Sequence, residues 1–536
     1  MKHILPFFFA WLMVAGLPLF ARNVNITIVH TTDLHGTLLP TTNYDGQPDT
    51  GGLLRCATAI KKIRQETPNV LLLDAGDLFQ GAPVSFLTQG SVMTRVVNQL
   101  QYNGWALGNH EFDWGMEQLA ARLTETQCPV LAANLHYLPP NTASTGMIRA
   151  FAKVQPYIIR QVDGVNIGII GLTTPGVPNW SRPHLISGLT FEDSVSALRK
   201  TVPKVKAAGA QVLVLLAHQG YRERGDDHAS QLKSIAVAFP ELAVIIGGHS
   251  HRFFTEQPLN QSLYTQAGYW GGALGRVDLT YDNASKRLIS RRSTLVAMDS
   301  TVPVDASLLA SVKPDLDRTE TFLSQKIGET SVPLETPNKS KYESTLFNLL
   351  AESIASGLQQ KGGRVDGVFH GILRENIAIS PGPIRMRDVF QLVPYENTLG
   401  ILQLNTSQIR ELLENNAKLY ASGQFRGFWG FLTRLKPSAS IGHRVIFLGD
   451  PDGKPLDPNR RYGIAFNSFD LASAGLRFEI VRHLANLPEC QIVEYDLQTR
   501  DAVASYIQQH SPLQITTHGW WQTERKPQAR KTSRSP

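Results

Sequence analysis

The feature that most constrains the fold is a repeated pattern over residues 25–300, in which an apolar, strand-like segment runs into a short polar cluster. The apolar segments are residues 26–29, 70–73, 130–132, 167–170, 212–216 and 244–246. Helix-like segments such as residues 52–67 and 90–101 lie between them. This alternation is typical of α/β proteins, and the continuous Val, Ile and Leu content predicts strands that are covered on both faces.

Several of these polar clusters combine an oxygen or imidazole donor with a nearby glycine. They read His30-Thr-Thr-Asp33-Leu-His35-Gly36, Asp74-Ala-Gly-Asp77, Gly108-Asn109-His110-Glu111-Phe-Asp113, Ala217-His218-Gln-Gly220 and Gly247-Gly-His249-Ser-His251. Ligands of open α/β sheets bind beyond the carboxyl ends of the strands, so the clusters are predicted to converge on one crevice. Glycine permits the tight turns and the close ligand approach that such a crevice needs.

The donors in these clusters suggest a metal centre. Any one cluster is more often a hydrogen-bonded structural group than a metal site. Together, however, the clusters offer seven candidate ligands, which can hold two divalent ions if one carboxylate bridges them. Mixed imidazole and carboxylate donors favour Zn, Mn, Co or Fe over calcium, which prefers an oxygen-rich cage. The sequence therefore predicts a centre of two such divalent ions.

The cluster at residues 108–113 resembles the 5'-nucleotidase branch of the calcineurin-like metallophosphoesterase superfamily, and the resemblance extends over residues 25–510. It implies these ligands: Asp33, His35 and His251 for one ion, Asn109, His218 and His249 for the other, and Asp77 as the bridge. Every ligand position of the family is filled. The resemblance therefore implies a metal-dependent phosphoric ester hydrolase, in which a metal-activated water attacks phosphorus.

The same resemblance gives two further residues a catalytic role. His110 would stabilise the transition state or assist the leaving oxygen, and Asp113 would fix the tautomer and orientation of His110. An alternative for Asp113 is the N-cap of a helix predicted over residues 114–123. Both roles could hold at once.

The chain is predicted to form two domains, because 536 residues are too many for one hydrophobic core. A helix over residues 308–327 is predicted to connect them despite Pro314. The predicted organisation is a signal peptide at 1–21, a metallophosphoesterase domain at 22–300, a linker helix at 301–341, a substrate-binding domain at 342–515 and a basic, disordered tail at 516–536.

The fold class is α/β, or α+β when the whole chain is considered. For the N-terminal half the resemblance implies a four-layer metallophosphoesterase β-sandwich with flanking helices. For the C-terminal half it implies a 5'-nucleotidase-type α/β domain. Its stretches at residues 382–398 and 467–475 are similar to those that present a pair of aromatic side chains to a nucleobase, which gives Tyr395 and Phe469 that role here. The alternative for each ring is core packing.

The second half also departs from the family. The family commonly has an Asn-Gly-Gly-Gly-Ile-Arg stretch whose arginine meets the substrate, and this chain reads Phe-His-Gly-Ile-Leu-Arg at residues 369–374. Arg374 keeps the arginine, but the asparagine and two of the glycines are missing. Leu476 and Arg477 stand where the family continues with Gly-Gly-Asp-Gly.

The two ends of the chain differ from the rest. Lys2 precedes an apolar run over residues 4–20, which predicts a signal peptide cleaved before Arg22 and a secreted or periplasmic protein; a retained N-terminal anchor is the alternative. Residues 523–536 carry five basic residues against Glu524, which is +4 of the net charge of +7. Such a tail is predicted to be solvated or to contact an anionic surface weakly, and nucleic acid is not expected as a partner.

These observations favour the hydrolysis of nucleoside 5'-monophosphates or related nucleotides to nucleoside and phosphate. Three alternatives use the same ions: a 2',3'-cyclic-nucleotide phosphodiesterase, a nucleotide-sugar hydrolase and a thiosulfohydrolase-like enzyme. From another class, an exported binding protein without turnover would retain the metal fold but would have no need of His110.

Overall fold

The computed structural model describes residues 23–336, 344–372, 377–420, 422 and 424–524. The predicted signal peptide, residues 1–21, lies outside the described residues, as does the last part of the predicted tail, residues 525–536. Within the described ranges, no helix combines the length and the apolar character that crossing a membrane requires.

The N-terminal half is a mixed α/β unit. Its strands are β1 (Asn23–Thr31), β2 (Val70–Asp74), β3 (Gly104–Ala106), β4 (Val130–Leu131), β5 (Leu135–Tyr137), β6 (Val154–Gln155), β7 (Tyr157–Val162), β8 (Val165–Leu172), β9 (Leu189–Phe191), β10 (Val212–Ala217), β11 (Leu242–Ile246), β12 (Phe253–Leu259), β13 (Ser262–Ala267), β14 (Ala273–Asp282) and β15 (Arg287–Ala297). Its helices are α1 (Leu53–Glu66), α2 (Pro83–Leu87), α3 (Ser91–Leu100), α4 (Gly115–Glu125), α5 (Thr145–Phe151), α6 (Ser194–Ala207), α7 (Leu232–Ala238) and α8 (Ala306–Ser324).

Two sheets pack face to face in this half. One has the strand order β15-β14-β1-β2-β3-β4-β6 and the other has the order β12-β13-β11-β10-β8-β7. An apolar core that includes Ile26, Leu73 and Val214 lies between them. Helices α1, α3 and α4 cover the outer face of the first sheet, and α6 and α7 cover that of the second. The predicted four-layer sandwich is confirmed.

The predicted strands at residues 26–29, 70–73, 130–132, 167–170, 212–216 and 244–246 coincide with β1, β2, β4, β8, β10 and β11. In β10, Val212 and Val214 face the core between the sheets, while Leu213 and Leu215 face the helices. The prediction that these strands are covered on both faces is therefore confirmed for β10. Strands β1 to β4 pair in parallel, as do β8, β10 and β11, so each group directs its carboxyl ends to one edge.

The C-terminal half is built around a further mixed sheet. Its strands are β16 (Lys326–Thr330), β17 (Leu334–Glu335), β18 (Gly367–His370), β19 (Ala378–Ile379), β20 (Gly382–Arg385), β21 (Thr398–Asn405), β22 (Gly427–Trp429), β23 (Leu432–Leu435), β24 (Val445–Gly449), β25 (Arg461–Asn467), β26 (Val493–Gln498) and β27 (Trp521–Thr523). Its helices are α9 (Thr345–Gln360), α10 (Met386–Leu392), α11 (Thr406–Ala417), α12 (Ser468–Leu471), α13 (Glu479–Ala485) and α14 (Thr499–His510). The central sheet has the order β22-β18-β25-β21-β26, with α9 and α14 on one face and α11 and α13 on the other.

The predicted linker helix is present as α8, although it ends at Ser324. Asp305 caps its first turn by accepting a hydrogen bond of 2.9 Å from the amide of Leu308. The next residues already belong to the C-terminal fold, because β16 pairs with β20 and Ile327 lies in the C-terminal core. The boundary predicted at residue 342 is therefore too late in the chain.

The predicted disordered tail at residues 516–536 also needs correction. Residues 521–523 form β27, which pairs in parallel with β23. The Trp521 ring is buried and lies 5.1 Å from the ring of Phe425, centroid to centroid. This aromatic contact holds residues 521–523 against the domain. The sequence did not predict the strand, because the residues that follow it are strongly charged.

The two halves touch along one side of the N-terminal sandwich. The hydroxyl of Tyr44 lies 3.0 Å from that of Tyr395, and Arg182 Nη2 lies 2.7 Å from Glu494 Oε1. The carbonyl of Asn179 accepts a hydrogen bond of 2.9 Å from the amide of Gly475. These contacts place the loops of the C-terminal half over the crevice described next.

Candidate metal centre and substrate pocket

The predicted metal ligands lie on loops that follow five strands, which come from both sheets of the sandwich. Asp33 and His35 follow β1, Asp77 follows β2 and Asn109 follows β3. From the second sheet, the loop after β10 provides His218, and the loop after β11 provides His249 and His251. The structure thus brings all the predicted ligands to one crevice, as the pattern of strand and donor predicts.

The first group of ligands consists of Asp33, His35, Asp77 and His251, whose candidate ligand atoms all lie within 4.8 Å of one another. His35 Nε2 lies 3.8 Å from Asp77 Oδ2 and 2.9 Å from His251 Nε2. His251 Nε2 lies 3.6 Å from Asp33 Oδ1. Two imidazoles and two carboxylates that face one point match the donor set of a divalent transition metal.

The second group shares Asp77 with the first and adds His218 and His249, again within 4.8 Å. Asp77 Oδ2 lies 3.1 Å from His218 Nε2. The amide oxygen of Asn109 lies between the two imidazoles, 3.2 Å from His218 Nε2 and 2.8 Å from His249 Nδ1. A single carboxylate common to both groups is the arrangement that two neighbouring ions require.

The surroundings of the imidazoles fit metal binding. His35 Nδ1 lies 2.7 Å from the carbonyl of Gln80, and His218 Nδ1 lies 2.8 Å from that of Ala75. A carbonyl at Nδ1 fixes the tautomer and directs the lone pair of Nε2 into the crevice. Burial lowers the pKa of His35 and of His249 well below the usual value, and it lowers the pKa of His251 to about 4. Neutral imidazole is the form that binds metal, so these three side chains suit a metal ion. Burial also lowers the pKa of His218, but the carboxylate of Asp77 outweighs it and raises the pKa to about 10.

The backbone at the ligands is strained. Five of the seven have positive φ angles: Asp33 (50°), His35 (48°), Asp77 (57°), His249 (70°) and His251 (54°). Residues with a side chain rarely adopt this left-handed conformation, which costs about 1–2 kcal/mol each. Such strain, concentrated at one crevice, is typical of a functional site.

Glu111 is a buried residue to which the sequence analysis gave no role. Its carboxylate accepts hydrogen bonds from the amides of Asp77 (3.0 Å), Leu78 (2.6 Å) and Gly108 (2.6 Å). Burial raises the pKa of Glu111 to about 8, and the charge of Asp77 adds to the effect. Glu111 therefore ties the loop after β2 to the loop after β3 and positions Asp77 beside Asn109.

His110 lies at the rim of the first ligand group. Its Nδ1 lies 2.5 Å from Asp113 Oδ2, and its ring centroid lies 5.1 Å from that of His35. Burial lowers the pKa of His110, but the carboxylates of Asp113 and Asp77 outweigh it and raise the pKa to about 9. Helix α4 begins at Gly115 with Trp114 as its N-cap, so the alternative role of Asp113 as a helix cap is wrong.

A cavity of about 400 Å³ lies between the two halves and reaches the metal ligands. Asp77, Asn109 and His249 line one side of it, and Tyr395 and Phe469 line the other. The ring of Tyr395 stacks on His110, with centroids 5.5 Å apart and planes at 15°. Both predicted aromatic residues therefore reach the pocket. Arg374 lies outside the described residues.

Comparison with known proteins gives two matches that succeed one another along the chain. The family model of calcineurin-like phosphoesterases matches residues 26–253, and that of the C-terminal domain of 5'-nucleotidases matches residues 326–483. The chain belongs to the 5'-nucleotidase family of calcineurin-like metallophosphoesterases. It is accordingly a metal-dependent phosphoester hydrolase.

Relatives in the family cover most of the chain. The 5'-nucleotidase of Bos taurus is 27% identical over 506 residues, which is 86% of this chain and 85% of that protein. The 5'-nucleotidase precursor of Thermus thermophilus has a structure with a TM-score of 0.70 and 25% identity, covering 94% of this chain and 100% of that one. A putative 5'-nucleotidase from Staphylococcus aureus shares the fold, with a TM-score of 0.78, 20% identity, and coverage of 94% of this chain and 100% of that one.

The pocket contains residues that the sequence analysis did not assign. Trp180 packs on His249, with ring centroids 5.0 Å apart, and Arg426 and Arg477 line the C-terminal wall. His370 is buried there and lies 3.0 Å from the side-chain nitrogen of Asn467. No local sequence pattern predicts that Trp180 lies in the pocket. Arg477 could have been suspected, because it stands where the family has a glycine-rich motif.

Proposed function

We propose that this enzyme hydrolyses nucleoside 5'-monophosphates to nucleoside and inorganic phosphate, using two divalent ions of Zn, Mn, Co or Fe. One observation carries the proposal: two ligand groups that share Asp77 open into a cavity lined by Tyr395 and Phe469. Phosphate binds next to metal, and a planar base binds next to aromatic rings. The names of the relatives, which are 5'-nucleotidases, support the same substrate.

The bound ions would activate the attacking water and neutralise the charge that develops on the phosphoryl oxygens. Their ligands would be Asp33, His35, Asp77, Asn109, His218, His249 and His251. The residues of the chain supply the remaining chemistry. With its pKa raised to about 9, His110 is protonated at neutral pH and can donate a hydrogen bond to a phosphoryl or leaving oxygen. Asp113, at 2.5 Å, holds the imidazolium in place.

The substrate contacts are assigned to the C-terminal half. Tyr395 and Phe469 stack on the base, and Arg374 meets the polar part of the nucleotide. We propose that the enzyme is secreted or periplasmic, because the apolar run over residues 4–20 has the character of a signal peptide. Weak contact of the basic C-terminal end with an anionic surface remains part of the proposal.

The test is phosphate release from a panel of nucleoside monophosphates, sugar phosphates, nucleotide sugars and cyclic nucleotides by the metal-reconstituted enzyme. We expect nucleoside 5'-monophosphates to give the highest kcat/KM. A preference for 2',3'-cyclic nucleotides or nucleotide sugars would contradict the proposal and favour those alternatives, and turnover of none would leave thiosulfate compounds as the next class to assay.

The aromatic contacts have a separate test. Tyr395→Ala and Phe469→Ala should each lower kcat/KM for a nucleotide about tenfold or more, on the order of 1.4 kcal/mol, but should lower it much less for p-nitrophenyl phosphate, which has no base. Phe447→Ala, an aromatic truncation elsewhere in the same domain, is the control. Equal losses on both substrates would show that the two rings are structural.

A further inference from the structure

The guanidinium of Arg477 lines the interdomain cavity, and the carboxylate that acts on it, Asp470, is already paired with Arg426. Among the residues that the structure describes, none forms a hydrogen bond or an ion pair with it. Its Cζ lies 5.9 Å from the ring centroid of Phe469, the outer limit of a cation–π contact. Burial lowers the pKa of Arg477, and the charge of Arg426 adds to the effect. A half-buried cation with unused donors is costly unless an anion binds to it.

The neighbouring charges cannot supply that anion. Arg426 already engages the carboxylate of Asp470, with Nη2 3.0 Å and Nε 3.3 Å from Oδ1, and both side chains are buried. His370 is also close, but burial lowers its pKa, so this imidazole is neutral at pH 7. Among the described residues, this end of the cavity therefore holds two guanidinium groups and one carboxylate.

Arg477 is separated from the metal ligands. The charges that act on it are those of Arg426 and Asp470, and none belongs to the metal centre. Its segment is fixed through Gly475, where a Cβ atom would lie 2.4 Å from Trp180 Nε1, and Trp180 in turn packs on His249. Trp180 thus contacts both Gly475, two residues before Arg477, and the ligand His249. An anion at Arg477 would be a second group of the substrate and not the phosphate that is cleaved.

We propose that Arg477, next to Arg426, binds a second phosphate carried on the ribose of the substrate, so that the preferred substrates are nucleoside bisphosphates rather than simple 5'-monophosphates. This inference rests on the proposed hydrolysis of nucleotides. A guanidinium matches two oxygens of a phosphate dianion, and Phe469 beside it is the ring assigned to the base. Water replaces the 5'-oxygen on the cleaved phosphorus, and the products are inorganic phosphate and a nucleoside 2'- or 3'-monophosphate.

The experiment measures kcat/KM of the metal-loaded enzyme for adenosine 5'-monophosphate and for adenosine 2',5'- and 3',5'-bisphosphate. We expect the parent enzyme to prefer one bisphosphate about tenfold or more. Arg477→Gln should lower the ratio of bisphosphate to monophosphate about tenfold, and Arg477→Lys, which keeps the charge, should retain part of the preference. Arg434→Gln, which removes a surface charge from the same domain, should leave the ratio unchanged.

Two results would overturn the inference while leaving the proposed function intact: hydrolysis of the monophosphate with no preference for either bisphosphate, or an equal loss on all three substrates in Arg477→Gln. Hydrolysis of neither class would overturn both proposals. Folding of the variant is checked separately by turnover of p-nitrophenyl phosphate, which reaches the metal centre without the second phosphate.

Discussion

At the residue scale, the metal centre combines side chains that can bind metal with backbone conformations that are unfavourable for any residue but glycine. Five ligands adopt left-handed φ angles, although none of them is glycine. The surrounding hydrogen bonds hold them there; for example, the amide of His249 donates to both carboxylate oxygens of Asp33 at 2.9 and 3.1 Å. The strain in the backbone is therefore offset by these hydrogen bonds and by the surrounding packing.

This strain gives the first prediction, which compares two substitutions of His251 (φ 54°) in metal-free protein. Both His251→Gly and His251→Ala remove a ligand and should abolish most activity. Glycine relieves a backbone strain of about 1–2 kcal/mol in the folded state. It also gives the unfolded chain more conformational freedom, which lowers the free energy of unfolding by about 0.5–1 kcal/mol. The Gly variant should therefore be more stable than the Ala variant by roughly 0.5–1 kcal/mol. Thermal unfolding measures the difference, and a more stable Ala variant would contradict the assigned strain.

The second prediction separates catalysis from metal binding. His110→Ala should lower turnover by about 10² to 10⁴-fold, because it removes a general acid, while metal content stays at the parent level. Metal binding should survive because the backbone amide of residue 110 is retained. This amide donates a hydrogen bond of 2.8 Å to Asp77 Oδ1 and so keeps the bridging carboxylate in place. Asp113→Asn should have a smaller effect of the same kind. Metal analysis beside the kinetic assay checks the prediction, and loss of metal would place His110 among the ligands.

Some residues of the site could be predicted from the sequence and others could not. The seven donors were predictable because each follows a strand or sits in a glycine-rich turn, which fixes its place relative to the sheet. Glu111 was not, because its role depends on amides of a loop more than thirty residues away. Trp180 lies on a loop whose position depends on packing against His249 and Gly475, and no periodicity encodes that packing.

At the element scale, the loops between the strands have two roles. Some of them carry the metal ligands, and another forms hydrogen bonds with the C-terminal domain. The short turn Val177–Asn179 and the loop after it provide Asn179 and Arg182, which bind the C-terminal half. Asn179 Oδ1 accepts a hydrogen bond of 2.6 Å from Arg482, and Arg182 donates to Glu494 at 2.7 Å. These contacts set the width of the cavity in which a nucleotide must fit.

The third prediction tests that interface. Arg182→Ala should lower kcat/KM for a nucleotide several-fold to tenfold, because the pocket loses its fixed geometry, and should affect p-nitrophenyl phosphate less. Arg276→Ala breaks an ion pair with Asp278 that lies within the N-terminal domain, and it should change neither value. A double-mutant cycle with Glu494→Ala measures the coupling of the pair. Equal effects on both substrates would show that Arg182 serves folding rather than docking.

Elements were predictable where their pattern is long and local. The six strands predicted from apolar runs are present, but β3 escaped prediction because its three residues, Gly104–Ala106, give no readable pattern. The strand β27 escaped because charged residues follow it and its partner β23 is remote in sequence. The early start of the C-terminal fold at β16 depends in the same way on a distant partner, β20.

At the scale of the whole molecule, the enzyme joins two units with different tasks. The sandwich assembles a metal centre from the strand ends of two sheets, and the C-terminal domain closes one side of the cavity with aromatic and cationic groups. In the proposed mechanism, two ions share Asp77 and act together. The cavity needs both units, since the first lacks the wall with Tyr395 and Phe469 and the second lacks the metal ligands.

The two-ion mechanism is tested by titrating metal-free enzyme with Mn²⁺ while both bound metal and hydrolysis of adenosine 5'-monophosphate are measured. We predict no activity without metal and full activity at two ions per chain. Asp77→Asn, which disturbs both groups, should lose at least about tenfold more activity than Asn109→Ala, which disturbs one. Full activity in the metal-stripped protein, or saturation at one ion per chain, would contradict the account.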